Sequence, residues 1–154
     1  MKLGFEYDGI THVNVYSQGL TNLGRWLSNF TQVRFVTEEG EFNSIEGYWY
    51  YLSCPEHPDK HLLQTAHGYE AKKLGRALRA NDWVDDPKFK AKILDAIDMK
   101  LLCMPDNIKE EWLFKYPVPL VHYYLYGSRV VEVPQGDWII EFLNKRRLEW
   151  QNSN

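Results

Sequence analysis

Glu46 stands alone as a carboxylate in SIEGYWYYLSC (44–54), among Ile45, Tyr48, Trp49, Tyr50 and Tyr51. Two kinds of chemistry fit that placement. In the first turn of a helix, the macrodipole favours a negative side chain and the acid helps to start the helix. At the rim of an aromatic pocket, the same group can accept a proton or face a developing cation. A second set follows in AKKLGRALR (71–79), where Lys72, Arg76 and Arg79 recur at i, i+4 and i+7. That cationic stripe, opposite Leu74 and Leu78, is either a solvated helix face or a seat for phosphate. Gly75 lies beside it. A glycine inside a helix costs about 1 kcal/mol against alanine, so a backbone or a ligand is expected to approach closely there. Trp83, in NDWVDDP, reads as a core plug or as a stacking platform.

Other chemistries lack their residues. No Walker loop, Rossmann glycine pattern, HExxH or serine elbow is present. Cys54 and Cys103 lie far apart and without metal-type spacing, and are expected to be free, core-facing thiols. His57, His61 and His67 are interrupted by Pro58–Asp59 and read as surface or capping residues. No cofactor is implied. The 154 residues carry a net charge of −3, which gives no global argument for a nucleic-acid coat or a membrane surface. No apolar run approaches about 18 residues and the start has no leader pattern, so a cytoplasmic location without membrane association is expected. With 44% hydrophobic residues the chain suits an ordinary globular core, and its 6 Trp and 10 Tyr provide rings for a core or a flat ligand.

The elements that must position these residues can be read from periodicity. FEYDG and THVNVYS (11–17) alternate as short strands, and VRFVTEEGEFN (33–43) as a hairpin turning at Glu38–Gly40. At Ser44 the period becomes helical: Ile45, Tyr48, Trp49 and Leu52 form one stripe, and Glu46, Tyr50 and Ser53 share the adjacent side. Ser44 is the expected N-cap and Pro55 the stop. Helices are expected over about 60–67, 69–80 and from Asp86–Pro87 to about 104, the last with Phe89, Ile93, Ile97 and Leu101 inward. A short helix carries Ile108, Trp112 and Leu113. VPLVHYYLY (118–126) and RVVEV (129–133) read as a second hairpin, and Asp137 opens a final helix with Ile139, Phe142, Leu143 and Trp150 inward. The basic end Lys145–Arg146–Arg147 suits a helix C-terminus. Small antiparallel sheets, a helical middle and a C-terminal helix make an α+β fold, and no repeat or linker divides residues 1–154, so one domain is expected.

In order and spacing, several of these stretches resemble the NADAR superfamily, the YbiA-like N-glycosidases. The matching pieces are VYS (15–17), LSNF (27–30), Phe35, Gly40, SIEGY (44–48), AKKLGR (71–76) and Trp83, over about residues 11–103. The C-terminal third departs from the family pattern. His122 stands where a glutamate is usual, Tyr123 where a second acid is usual, and Tyr126–Gly127 in place of Trp–Gly. The lysine common after the S-x-E-x-Y segment is absent as well. The chain thus resembles a divergent member, similar to small proteins encoded by T-even bacteriophages, for which the cytoplasm would be the host's.

The resemblance implies hydrolysis of a ribosyl C1′–N bond, either in ADP-ribose attached to guanine, free or on nucleic acid, or in a ribosylamino-pyrimidine phosphate. Such a reaction passes through an oxocarbenium-like cation. It implies Glu46 as the catalytic carboxylate, Trp49 or Trp83 against the base, Lys72 and Arg76 on phosphate, Asn29 on the sugar or its loop, and Tyr48 in the binding wall. Two other readings stay open: a nucleotide- or ADP-ribose-binding module that has lost turnover with its second acid, and a module that uses the fold to meet a protein partner.

Overall fold

Polar side chains set the boundaries of most elements, and apolar spacing sets which face is buried. The computed structural model describes residues 3–153. The fold is α+β, with six α-helices and three two-stranded pairings. The chain divides into two compact units, one taking it up to Ser28 and again from Met104, the other spanning Asn29–Cys103.

The unit Asn29–Cys103 begins with the expected hairpin, β2 (Phe35–Thr37) and β3 (Gly40–Phe42), with Thr37 paired to Gly40 across its turn. Gly40 takes φ +122, a value that favours glycine. Helix α2 (Ile45–Ser53) follows, and its cap is the expected one: the Gly47 N–H donates to Ser44 Oγ at 3.0 Å. A 3-10 segment, Lys60–Gln64, replaces the expected helix over 60–67. Helix α3 (Gly68–Arg79) then packs on α2, and α4 (Phe89–Leu102) completes the unit. Asp86 acts one turn before α4, where its carboxylate accepts from the Lys88 N–H at 2.8 Å.

The core of this unit joins Tyr50, Cys54 and Leu63, with Trp49, Tyr51, Leu74 and Leu78 packed against it. Gly75 is explained here. A Cβ at that position would fall inside the Tyr50 ring, so the close approach is α2 against α3 rather than a ligand. Ile93, Ile97 and Leu101 face inward as the periodicity predicts, whereas Cys103, just past the end of α4, is exposed and not core-facing.

In the other unit, β1 (Val13–Asn14) pairs in parallel with β4 (Leu120–Val121), and β5 (Tyr123–Tyr126) pairs with β6 (Arg129–Glu132) across the Gly127–Ser128 turn. The strands expected over 5–9 and 11–17 shrink to β1. Residues Phe5–Tyr7 form a 3-10 turn, and the Asp8 carboxylate takes the Asn14 and Leu20 N–H groups, removing donors that a longer ladder would need. Helix α1 (Asn22–Leu27) is capped by Thr21. Helix α5 (Asp106–Glu110) runs on into a π-helical turn over Glu111–Lys115. In α6 (Asp137–Asn152), Arg147 is not part of a solvated basic end. It is buried, and its guanidinium donates to the carbonyls of Trp112, Tyr116 and Val118. Among the described residues, no helix is long and apolar enough to cross a membrane.

Candidate functional site

Helix α2 presents Glu46 and Tyr50 on the side that meets α3, one turn apart. Tyr50 enters the notch at Gly75 and so fixes how closely the helices approach. Glu46, one turn earlier, then lies against the cationic stripe of α3, where Lys72, Arg76 and Arg79 all act on its charge. Its N–H donates to the Asn29 carbonyl at 3.0 Å, which ties Asn29 to the start of α2.

Burial governs the Glu46 carboxyl. It pushes the pKa up to about 7, against the downward pull of Lys72, Arg76 and Arg79. The position in the first helical turn also favours the anion, so desolvation outweighs both the dipole and three cations. No ion pair and no side-chain hydrogen bond among the described residues engages the carboxylate. A helix-starting acid would sit in water with an ordinary pKa. Burial instead gives Glu46 a pKa raised to about 7, with the cations of α3 acting on it.

Arg79, part of the expected stripe but not among the site residues the resemblance implies, is the most unusual cation of the three. Arg76 is exposed, while Lys72 and Arg79 are partly buried. The Arg79 guanidinium lies against two rings, with Cζ 4.9 Å from the Tyr50 centroid and 3.4 Å from the Trp83 centroid. Its Nε and Nη1 are buried and have no hydrogen-bond partner. Trp83 is 61% exposed, so it is a platform on Arg79 and not a core plug. The stripe itself was legible, but the cation that would be covered depends on the loop that carries Trp83.

Glu46, Asn29, Lys72 and Arg76 are therefore brought together, and Trp83 joins them through Arg79. Tyr48 is placed elsewhere: it is 2% exposed, packs on Phe35 and Phe42, and donates its hydroxyl to Glu39 Oε1 at 2.6 Å. That carboxylate also meets Lys92 Nζ at 2.8 Å, which links the hairpin to α4. Trp49 is partly buried edge-to-face on Phe89, at 4.7 Å between centroids. Tyr50, which the sequence left out of the site, holds the position expected of Tyr48 or Trp49. The Cys54 thiol is buried and its pKa is pushed up by that burial, which makes it inert. His57 and His61 make local turn contacts. Among the described residues, no group of three or more His, Cys, Asp or Glu could hold a metal ion.

Three positions of the C-terminal third bear on the departures from the family pattern. Tyr123 is fully buried, with a hydrogen bond of 2.7 Å joining its hydroxyl and His12 Nε2. His122 is partly buried, with Nδ1 2.7 Å from the Val15 carbonyl. Tyr126 is 73% exposed. Compared with protein-family models, with curated proteins and with solved structures, the chain matches none.

Proposed function

We propose that the unit Asn29–Cys103 carries a NADAR-like N-glycosidase site, hydrolysing a ribosyl C1′–N bond with Glu46 as its acid–base residue. The observation that supports this best is the state of Glu46, a carboxyl pushed up to about 7 and unpaired although three cations act on it. Such a group can give and take a proton near neutral pH without a second acid.

The chemistry balances with Glu46 alone. As the C1′–N bond breaks, its electron pair goes to the base nitrogen, which takes the Glu46 proton. The carboxylate so formed faces the ribosyl cation and stabilises it. Water then adds its oxygen to C1′ and returns a proton to Glu46. Lys72 and Arg76 hold phosphate, Asn29 lies at the sugar end, and Trp83 offers a ring for the base. The substrate class is ADP-ribose on guanine or a ribosylamino-pyrimidine phosphate.

One observation favours a second reading, a binding module without turnover. Tyr123, where the family has its second acid, is fully buried and hydrogen-bonded to His12, so it offers no group to a ligand. Base release from ADP-ribosylated guanosine, with ADP-ribose titrated by calorimetry, separates the two. The hydrolase reading expects wild type to release base and Glu46→Gln to lose at least about 100-fold in rate, with ADP-ribose affinity nearly unchanged. Wild type that binds and releases nothing is the module. Wild type that neither binds nor cleaves removes the site.

A further inference from the structure

Arg79 ends α3 in an arrangement that its own contacts do not complete. A guanidinium stacks through its faces and hydrogen-bonds through its edge, in plane. Two rings, those of Tyr50 and Trp83, lie against the Arg79 guanidinium. Its edge is not satisfied: Nε and Nη1 are buried without an acceptor. Buried charge-bearing N–H groups without partners are costly and uncommon. The nearby carboxylate of Glu46 acts on Arg79 electrostatically but forms no hydrogen bond with it. An acceptor is therefore missing from a preorganised fork, beside an acid that is also unpaired.

The backbone at this point is strained. Ala80 has φ +47 and ψ −118 and is the single non-glycine residue with positive φ among the described residues. The Asp82 N–H donates to the Arg79 carbonyl at 2.9 Å, closing a turn whose second residue is Ala80. Those angles are the ones glycine ordinarily supplies at that position of a type II′ turn. This strained turn lays Trp83 on Arg79, and the Val84 N–H, bonded to the Ser53 carbonyl at 3.0 Å, pins its far end. Backbone strain of this kind gathers at functional sites, and here it sits next to an unsatisfied cation.

We propose that Arg79 is a further phosphoryl-binding residue of the Glu46 site, beside Lys72 and Arg76, and that Trp83 is a cover that lifts from Arg79 when the anion enters. The ligand class is a phosphate or diphosphate ester. The proposal rests on the reading of this site as one for a phosphorylated ribosyl compound, yet it concerns anion binding and not turnover. Closed, the Trp83 ring shields the guanidinium in place of a ligand. Open, the fork donates to two phosphoryl oxygens while Tyr50 keeps the guanidinium plane fixed, and Trp83 becomes free to stack on the base.

Titration of inorganic pyrophosphate against the full chain tests this without a substrate. Arg79→Lys keeps the charge and loses the fork, and is expected to weaken pyrophosphate at least 10-fold. Arg76→Gln is expected to cost less than that. Trp83→Ala removes the cover and is expected to tighten pyrophosphate several-fold while weakening ADP-ribose, which loses its stacking partner. Near-ultraviolet circular dichroism and melting temperature check that each variant is folded. Arg79→Lys within 2-fold of wild type in a folded protein would overturn the assignment, and Trp83→Ala that weakens pyrophosphate would overturn the cover. Pyrophosphate binding through Arg79 in a protein that releases no base leaves this proposal standing and removes the hydrolase reading. Base release with pyrophosphate affinity indifferent to Arg79 does the reverse.

Discussion

Burial of its carboxyl makes Glu46 cost the protein stability at neutral pH. Its pKa in the folded state is raised, to about 7 from an ordinary carboxyl value. Between those two values the folded state holds a proton that the unfolded chain has lost, so stability falls as pH rises through that window. Glu46→Gln mimics the protonated form. It is expected to raise the unfolding free energy by roughly 1–3 kcal/mol at pH 8, a range that allows for residual solvent screening. At pH 4, below both values, the gain should be close to zero. Urea unfolding of the pair at both pH values measures it, and an equal effect at the two would mean that ionisation is not the cause.

Between α2 and α3, one glycine decides the geometry of the site. Gly75→Ala adds a methyl where the Tyr50 ring lies, and overpacking of this kind costs roughly 1–3 kcal/mol. Because Tyr50 also supports the Arg79 guanidinium, the variant should weaken phosphorylated ligands in the molecules that remain folded. Denaturant midpoints and pyrophosphate titration read the two effects. The hairpin at Gly40, the Ser44 cap and the shared side of Glu46 and Tyr50 were all legible from residue type and spacing, because each depends on neighbours within a few positions. The mid-helix glycine was legible as a close approach, but not which group made it. What spacing could not choose was among equals: Tyr48, Trp49 or Tyr50 as the ring on α3, and Lys72, Arg76 or Arg79 as the covered cation. Those choices depend on a loop that crosses from Ala80 to Val84. The N-terminal strands were overestimated because Asp8, six residues from Asn14 in sequence, captures an N–H of β1.

At the scale of the molecule, two ionisable groups, partly buried Glu46 and buried Lys100, give the stability profile opposite slopes. Lys100 in α4 is 2% exposed, and burial pushes its pKa down to about 7. Above that value the folded protein holds it neutral while the unfolded chain still binds the proton. Its contribution therefore rises with pH up to the ordinary lysine value near 10.4. Stability should thus decline from about pH 4.5 towards 7 through Glu46 and recover above 7 through Lys100. Lys100→Met is expected to remove the recovery and leave the decline, which melting temperatures across pH would show. A recovery that persists in Lys100→Met would assign it to other groups.

The central claim is that Glu46 works by giving up a proton with a pKa near 7. The most direct measurement is base release from ADP-ribosylated guanosine by wild type, followed as kcat/KM from pH 5 to 9. The account predicts a rate that is level on the acid side and falls tenfold per pH unit above a midpoint of about 7, because only the protonated free enzyme reacts. A rate that rises through that range, or one that ignores pH, would contradict it.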